Sequence, residues 1–134
     1  MKYLFHISLL MITLTVVSCK KKTTTEEEQA ANVVITINTP SAMEHIAYGD
    51  SVKITGTITA DKEMHGYSVS LKNNTTAAFL INQGYHEHAS SFVINESWKN
   101  TVTDTTYMSV DIQAAVDHDG NVVTQQRIIV CYPQ

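Results

Sequence analysis

Beyond the first thirty residues, the 134-residue chain carries five histidines, at positions 45, 65, 86, 88 and 118. Neutral imidazole is the commonest protein ligand for transition metals. The pair in His86-Glu87-His88 has a useful spacing. On extended backbone, residues i and i+2 face the same way with Cα atoms ~6.6 Å apart. Two imidazoles so placed can share an ion at bonds of ~2.0–2.1 Å. A third and fourth nitrogen are expected from His65 and His118, and Asp117, Asp119 or Glu87 would supply carboxylates that orient the rings. An all-nitrogen set suits Zn²⁺ or Cu²⁺. Two blander readings compete: the histidines cap the core and hydrogen-bond the loops, or they act as a pH sensor.

These residues converge only if the chain reverses direction between them, and the hydrophobic pattern says that it does. From Asn32 onward the alternation has period two rather than 3.6. Val33, Ile35 and Ile37 mark a first strand. Val52, Ile54, Gly56 and Ile58 mark a second, after the break at Pro40-Ser41 and the turn at Gly49-Asp50. Ala60 to Met64 reads as a loop. Tyr67, Val69 and Leu71 give a third strand, and Ala77 to Ile81 a fourth, after the turn signal Asn73-Asn74. Phe92 and Ile94 mark a fifth. Met108, Val110, Ile112, Ala114 and Val116 form a sixth, and Val122 to Cys131 a seventh. Asp117 to Asn121 is a tight hairpin in which Gly120 supplies positive φ. A single helical turn is expected near Glu96 to Asn100, and Trp98 is expected to plug one end of the core.

Seven short strands in ~100 residues predict an all-β fold, an immunoglobulin-like antiparallel β-sandwich. The Cys…Trp…Cys hallmark is missing, and an open barrel is the alternative. Consecutive strands run up and down, so the connections holding His65, the His86–His88 pair and His118 all fall at one end. Parity along the flanking strands points all four rings inward over the mouth of the core. His45 falls at the other end and is excluded. Cys131 lies ten residues beyond Asn121, ~33 Å at strand rise, so a blue-copper centre is excluded. Met64 is near the cluster but is expected to pack.

The whole chain carries net −4, and from Asn32 onward five basic residues face ten acidic ones. That composition argues against nucleic acid and mildly favours cations. No nucleophile elbow, zincin helix, phosphate loop or Cys-His arrangement is present, so no enzyme is expected.

Residues 1–18 have the form of a signal peptide. Lys2 gives the positive start, and the apolar run from Leu4 to Val17 is shorter than the ~20 residues of a transmembrane span. Val16-Val17-Ser18-Cys19 resembles a lipobox, which implies cleavage before Cys19 and lipidation of its thiol. Residues 19–31 continue as KKKTTTEEEQAA after the cysteine, a polar low-complexity stretch expected to remain a disordered tether. Its lysines suit anionic headgroups. Residues 32–134 form the sandwich. Resemblance to bacterial lipoproteins implies delivery to the outer membrane, because Lys20 stands where a retention signal would put Asp. The domain would then face either the periplasm or the cell exterior.

The stretch from His65 to Asn121 also resembles uncharacterised bacterial lipoprotein families with an immunoglobulin-like domain. They share an H-E-H before a strand (Tyr85-His86-Glu87-His88) and an acidic-Gly-Asn hairpin late in the chain. This sequence has Asn73-Asn74-Thr75-Thr76 where those families carry a longer His-rich loop. The resemblance implies fold and location only. Two functions are therefore expected as alternatives: a membrane-anchored lipoprotein that binds Zn²⁺ or Cu²⁺ through His65, His86, His88 and His118, or a metal-free adhesion or accessory module for an envelope protein or glycan.

Overall fold

The computed structural model describes residues 31–134. The expected signal peptide, Cys19 and all of the tether except Ala31 lie outside the described residues.

Eight strands form: β1 (Val33–Thr39), β2 (His45–Ile46), β3 (Ser51–Met64), β4 (Gly66–Asn73), β5 (Phe79–Tyr85), β6 (Ala89–Lys99), β7 (Thr106–Ala115) and β8 (Val122–Cys131). They make a three-stranded sheet in the order β1-β3-β6 and a five-stranded sheet in the order β2-β8-β7-β4-β5. Every pairing is antiparallel except β2 with β8. The protein is an immunoglobulin-like β-sandwich. The two separate sheets exclude the open barrel.

The core follows from the period of two. Val52, Ile54 and Ile58 on β3, with Phe92 and Ile94 on β6, face Val69 and Leu71 on β4, Met108, Val110, Ile112 and Ala114 on β7, and Ile129 on β8. Each of the larger aliphatic side chains among them contributes about 1.5–3 kcal/mol by leaving water. The alternate residues of β3, Lys53 and Thr59, are exposed.

The structure differs from the sequence expectation at four places. There are eight strands rather than seven, because His45–Ile46 pairs in parallel with Val130–Cys131. Two residues are too few to show alternation. Ala60 to Met64 is strand, not loop: Ala60 pairs with Val33, and the register against β6 jumps between Thr59 and Met64, a bulge that blurs the periodicity. Strand β5 runs on to Tyr85 past the expected end at Ile81, its outer residues Asn82 and Gly84 being polar or bare. The expected helical turn at Glu96 to Asn100 is also strand, since Ile54 pairs with Glu96 and Ser51 with Lys99. Trp98 continues the half-buried inner face of β6 and packs against the core.

The sheet order makes two of the connections unusually short. The chain crosses from the small sheet to the large one between β3 and β4 with only His65 in between. It crosses back between β5 and β6 with only His86, Glu87 and His88. The β7–β8 hairpin turns at the same end.

Candidate metal centre

The corner at His65 depends on its neighbour. The His65 amide donates to the Ala115 carbonyl at 2.9 Å, which ties the corner to the end of β7. Gly66 then adopts φ +131°, and a Cβ there would lie 2.1 Å from the Tyr85 carbonyl oxygen. Only glycine both tolerates that φ and lets the start of β4 pass so close beneath the end of β5. The first corner is thereby pressed against the second.

The second corner is held at both ends. Before it, Tyr85 stacks on Tyr67 at 4.6 Å between ring centroids, and Tyr67 meets Phe92 at 4.9 Å. The Tyr85 hydroxyl donates to the Glu96 carboxylate, bridging β5 and β6 across the open side of the sandwich. That bond and the adjacent negative charge push the phenol up to about 12. The hairpin of His118 is braced from within: Asp117 accepts from the amides of Asp119 and Asn121 and from the Asn121 side chain. Those contacts hold the Asp117 carboxyl below its usual range.

The four histidines meet. Ring centroids of His65 and His118 are 3.7 Å apart, His65 and His88 4.6 Å, His86 and His88 5.2 Å, and His88 and His118 6.0 Å. Two imidazoles on one tetrahedral ion put their centroids about 5 Å apart, and these separations bracket that value. As the rings stand, no group of three or more His, Cys, Asp or Glu among the described residues is arranged to hold an ion. His65 and His118 are in van der Waals contact, so their nitrogens do not converge on a common point; the two rings must part by about 1 Å to share one.

The inward orientation expected from parity does not hold. His86, His88 and His118 are exposed and only His65 is half-buried. Met64 and Val116, which stand next to His65 and Asp117 in the chain, are buried instead. Strand parity ends where the strand does, so His86 and His88, lying outside β5 and β6, are free to turn to the rim.

His65 has the most unusual surroundings. Its Nδ1 is buried and makes no hydrogen bond. Loss of water, then the proximity of His118 and His88, hold its pKa below the usual 6.5, against a smaller opposing pull from Asp117 and Glu63. His88 Nδ1 lies 3.2 Å from Glu63 Oε1. A carboxylate at one ring nitrogen fixes the tautomer and leaves the other free to ligate. Glu63 was not among the orienting carboxylates expected from sequence. It stands two residues before His65, but the β3 bulge that turns it toward His88 left no mark in the periodicity. Asp117, which was expected in that role, is engaged within its own hairpin.

His45 stacks edge-on with Tyr132 at 5.3 Å, away from the cluster. Cys131 is buried opposite Thr106, its Sγ 3.8 Å from Met108 Sδ, and burial raises its thiol to about 11.

No protein-family model matches the chain, and no curated protein matches it. Among solved structures, the fibronectin(III)-like modules of Clostridium thermocellum CbhA are similar, at 13% identity and a TM-score of 0.45, over 74% of this chain and 96% of that one.

Proposed function

We propose that the sandwich binds a transition-metal ion, Zn²⁺ or Cu²⁺, through His65, His86, His88 and His118, as the soluble part of a lipoprotein anchored by Cys19. The lipobox-like Val16-Val17-Ser18-Cys19 supports the anchor, and the outer membrane is its proposed location, with the domain facing the periplasm or the exterior. The role is to hold and release an ion, not to turn over a substrate.

One observation carries the reading: three connections far apart in sequence bring four imidazoles within 3.7–6.0 Å of a neighbour, and the innermost has a buried nitrogen without a partner. A buried polar atom left without a hydrogen bond calls for an explanation, and coordination of an ion is one. An acidic domain suits a cation. Neutral rings are the ligating form, and the lowered pKa of His65 favours that form.

Native mass spectrometry with one equivalent of Zn²⁺ or Cu²⁺ tests this directly. A single bound ion is expected, and metal at about 100 times Kd should stabilise the fold by about 2.7 kcal/mol in chemical denaturation. His88→Ala combined with His118→Ala should abolish both effects, and His45→Ala neither. Glu63→Gln should weaken binding about 10- to 100-fold while leaving the metal-free stability nearly unchanged. No bound ion, or an ion retained by the double variant, overturns the proposal. The metal-free module for an envelope protein or glycan would then stand, and its partners should be captured equally well with and without chelator.

A further inference from the structure

The opposite pole holds a cavity of about 260 Å³ between the β4–β5 turn and the β6–β7 connection. It lies about 30 Å from the histidines, the length of β7 at strand rise. Its apolar lining comes from Leu80, Trp98 and Val102. The rest of the lining is polar, with six threonines, Asn73 and Asp104.

The segments that line it are braced by hydrogen bonds among themselves. Asn73 Oδ1 accepts from the amides of Thr75 and Thr76 and from the Thr106 hydroxyl. The Thr75 and Thr106 hydroxyls share a further bond of 3.1 Å. Fully buried Asn100 donates to the carbonyls of Ile46 and Tyr132 and accepts from the Val102 amide, which anchors the β6–β7 connection. Beside the rim, Ala77 sits at φ 60°, a left-handed conformation that a non-glycine residue adopts only under strain. Such strain concentrates at functional sites. Among the described residues, the exposed Thr101 and Thr105 hydroxyls have no protein partner, and exposed Asp104 receives only the Thr103 hydroxyl on Oδ2.

We propose that this cavity binds one pyranose ring of a neutral saccharide. A pyranose presents an apolar C–H face and a girdle of hydroxyls, which matches a lining that combines an indole with hydroxyls and a carboxylate. The volume lies below the ~300 Å³ at which drug-sized pockets begin, so it suits one ring. A purely apolar ligand would strip water from Asp104 and the threonines without replacing its hydrogen bonds. An anionic sugar would meet Asp104 and an acidic domain. The inference is independent of the metal reading, since no residue is shared.

Trp98 is the sole tryptophan of the chain, so indole emission, excited at the red edge of its band where the six tyrosines scarcely absorb, reports on this cavity. The whole chain is titrated with the methyl glycosides of glucose, galactose, mannose and N-acetylglucosamine. At least one should produce a saturable change in emission, with Kd of about 1 mM. Asp104→Asn and Thr105→Ala should each weaken it, the former about tenfold because a charge-assisted hydrogen bond is lost. His88→Ala should leave it unchanged. No saturable change with any of the four glycosides overturns the proposal. So does a response that glycerol reproduces, or that survives Asp104→Asn and Thr105→Ala together.

Discussion

The two poles of the sandwich handle their polar groups in opposite ways. At the threonine pole the buried amide of Asn100 makes three hydrogen bonds, and Asn73 accepts three more. At the histidine pole His65 Nδ1 is buried with none, and the chain passes between sheets in links of one and three residues. A satisfied buried network holds a fold in one arrangement, whereas an orphaned buried atom costs free energy until something outside the chain meets it. The difference separates polar groups that build the domain from polar groups the domain presents.

If that contrast is right, the largest effect should come from the corner that creates the histidine pole. Gly66→Ala puts a Cβ 2.1 Å from the Tyr85 carbonyl at φ +131°. A loss of about 3 kcal/mol or more is expected in urea denaturation, together with loss of any zinc stabilisation, because the two corners must separate. Gly84→Ala, with open space around its Cβ, is the matched control and should change stability by no more than about 0.5 kcal/mol. Equal effects for the two glycines would remove the corner from the account. At the other pole, Asn100→Ala leaves the Tyr132 carbonyl and the Val102 amide without their side-chain partner, while the Ile46 carbonyl keeps the Tyr132 amide. A cost of about 3 kcal/mol is expected, with the metal response intact. A metal response that disappears along with Asn100 would show the poles to be coupled.

The smallest effect is the one with pH. Unfolded His65 titrates near 6.5, while the folded residue accepts a proton only at lower pH. Between those values the unfolded state holds more protons, so acidification favours unfolding. With chelator present, stability should fall as pH drops below 6.5 and level off once the folded ring is also protonated. His65→Gln should flatten that part of the profile. Identical urea midpoints for both proteins across this range would show that His65 is not desolvated.

Much of the fold was legible in residue order. Alternation at Val52-Ile54-Ile58 and at Met108 through Ala114 reports which face is buried, because side chains on a strand alternate sides. The shared end of His65, His86, His88 and His118 also followed from counting reversals, without knowledge of either sheet. Strand β2 was not legible, since two residues carry no period. The β3 bulge was not legible either, and with it went Glu63, whose approach to His88 is made by the extra residues that the bulge inserts. The inward aim of the four rings failed for a related reason: parity says nothing about a residue beyond the end of its strand.

The order of residues alone settled the β class, the identity of the core side chains and the end of the domain to which each histidine travels, all of which depend on local backbone period and on reversals of direction. Tertiary contact alone decided that the corners of one and three residues press together at Gly66, that Glu63 rather than Asp117 hydrogen-bonds a ring, and that His65 Nδ1 is shut away from water. Those outcomes rest on which distant segments touch, and hydrogen-bond partners between such segments leave no periodic trace in the chain.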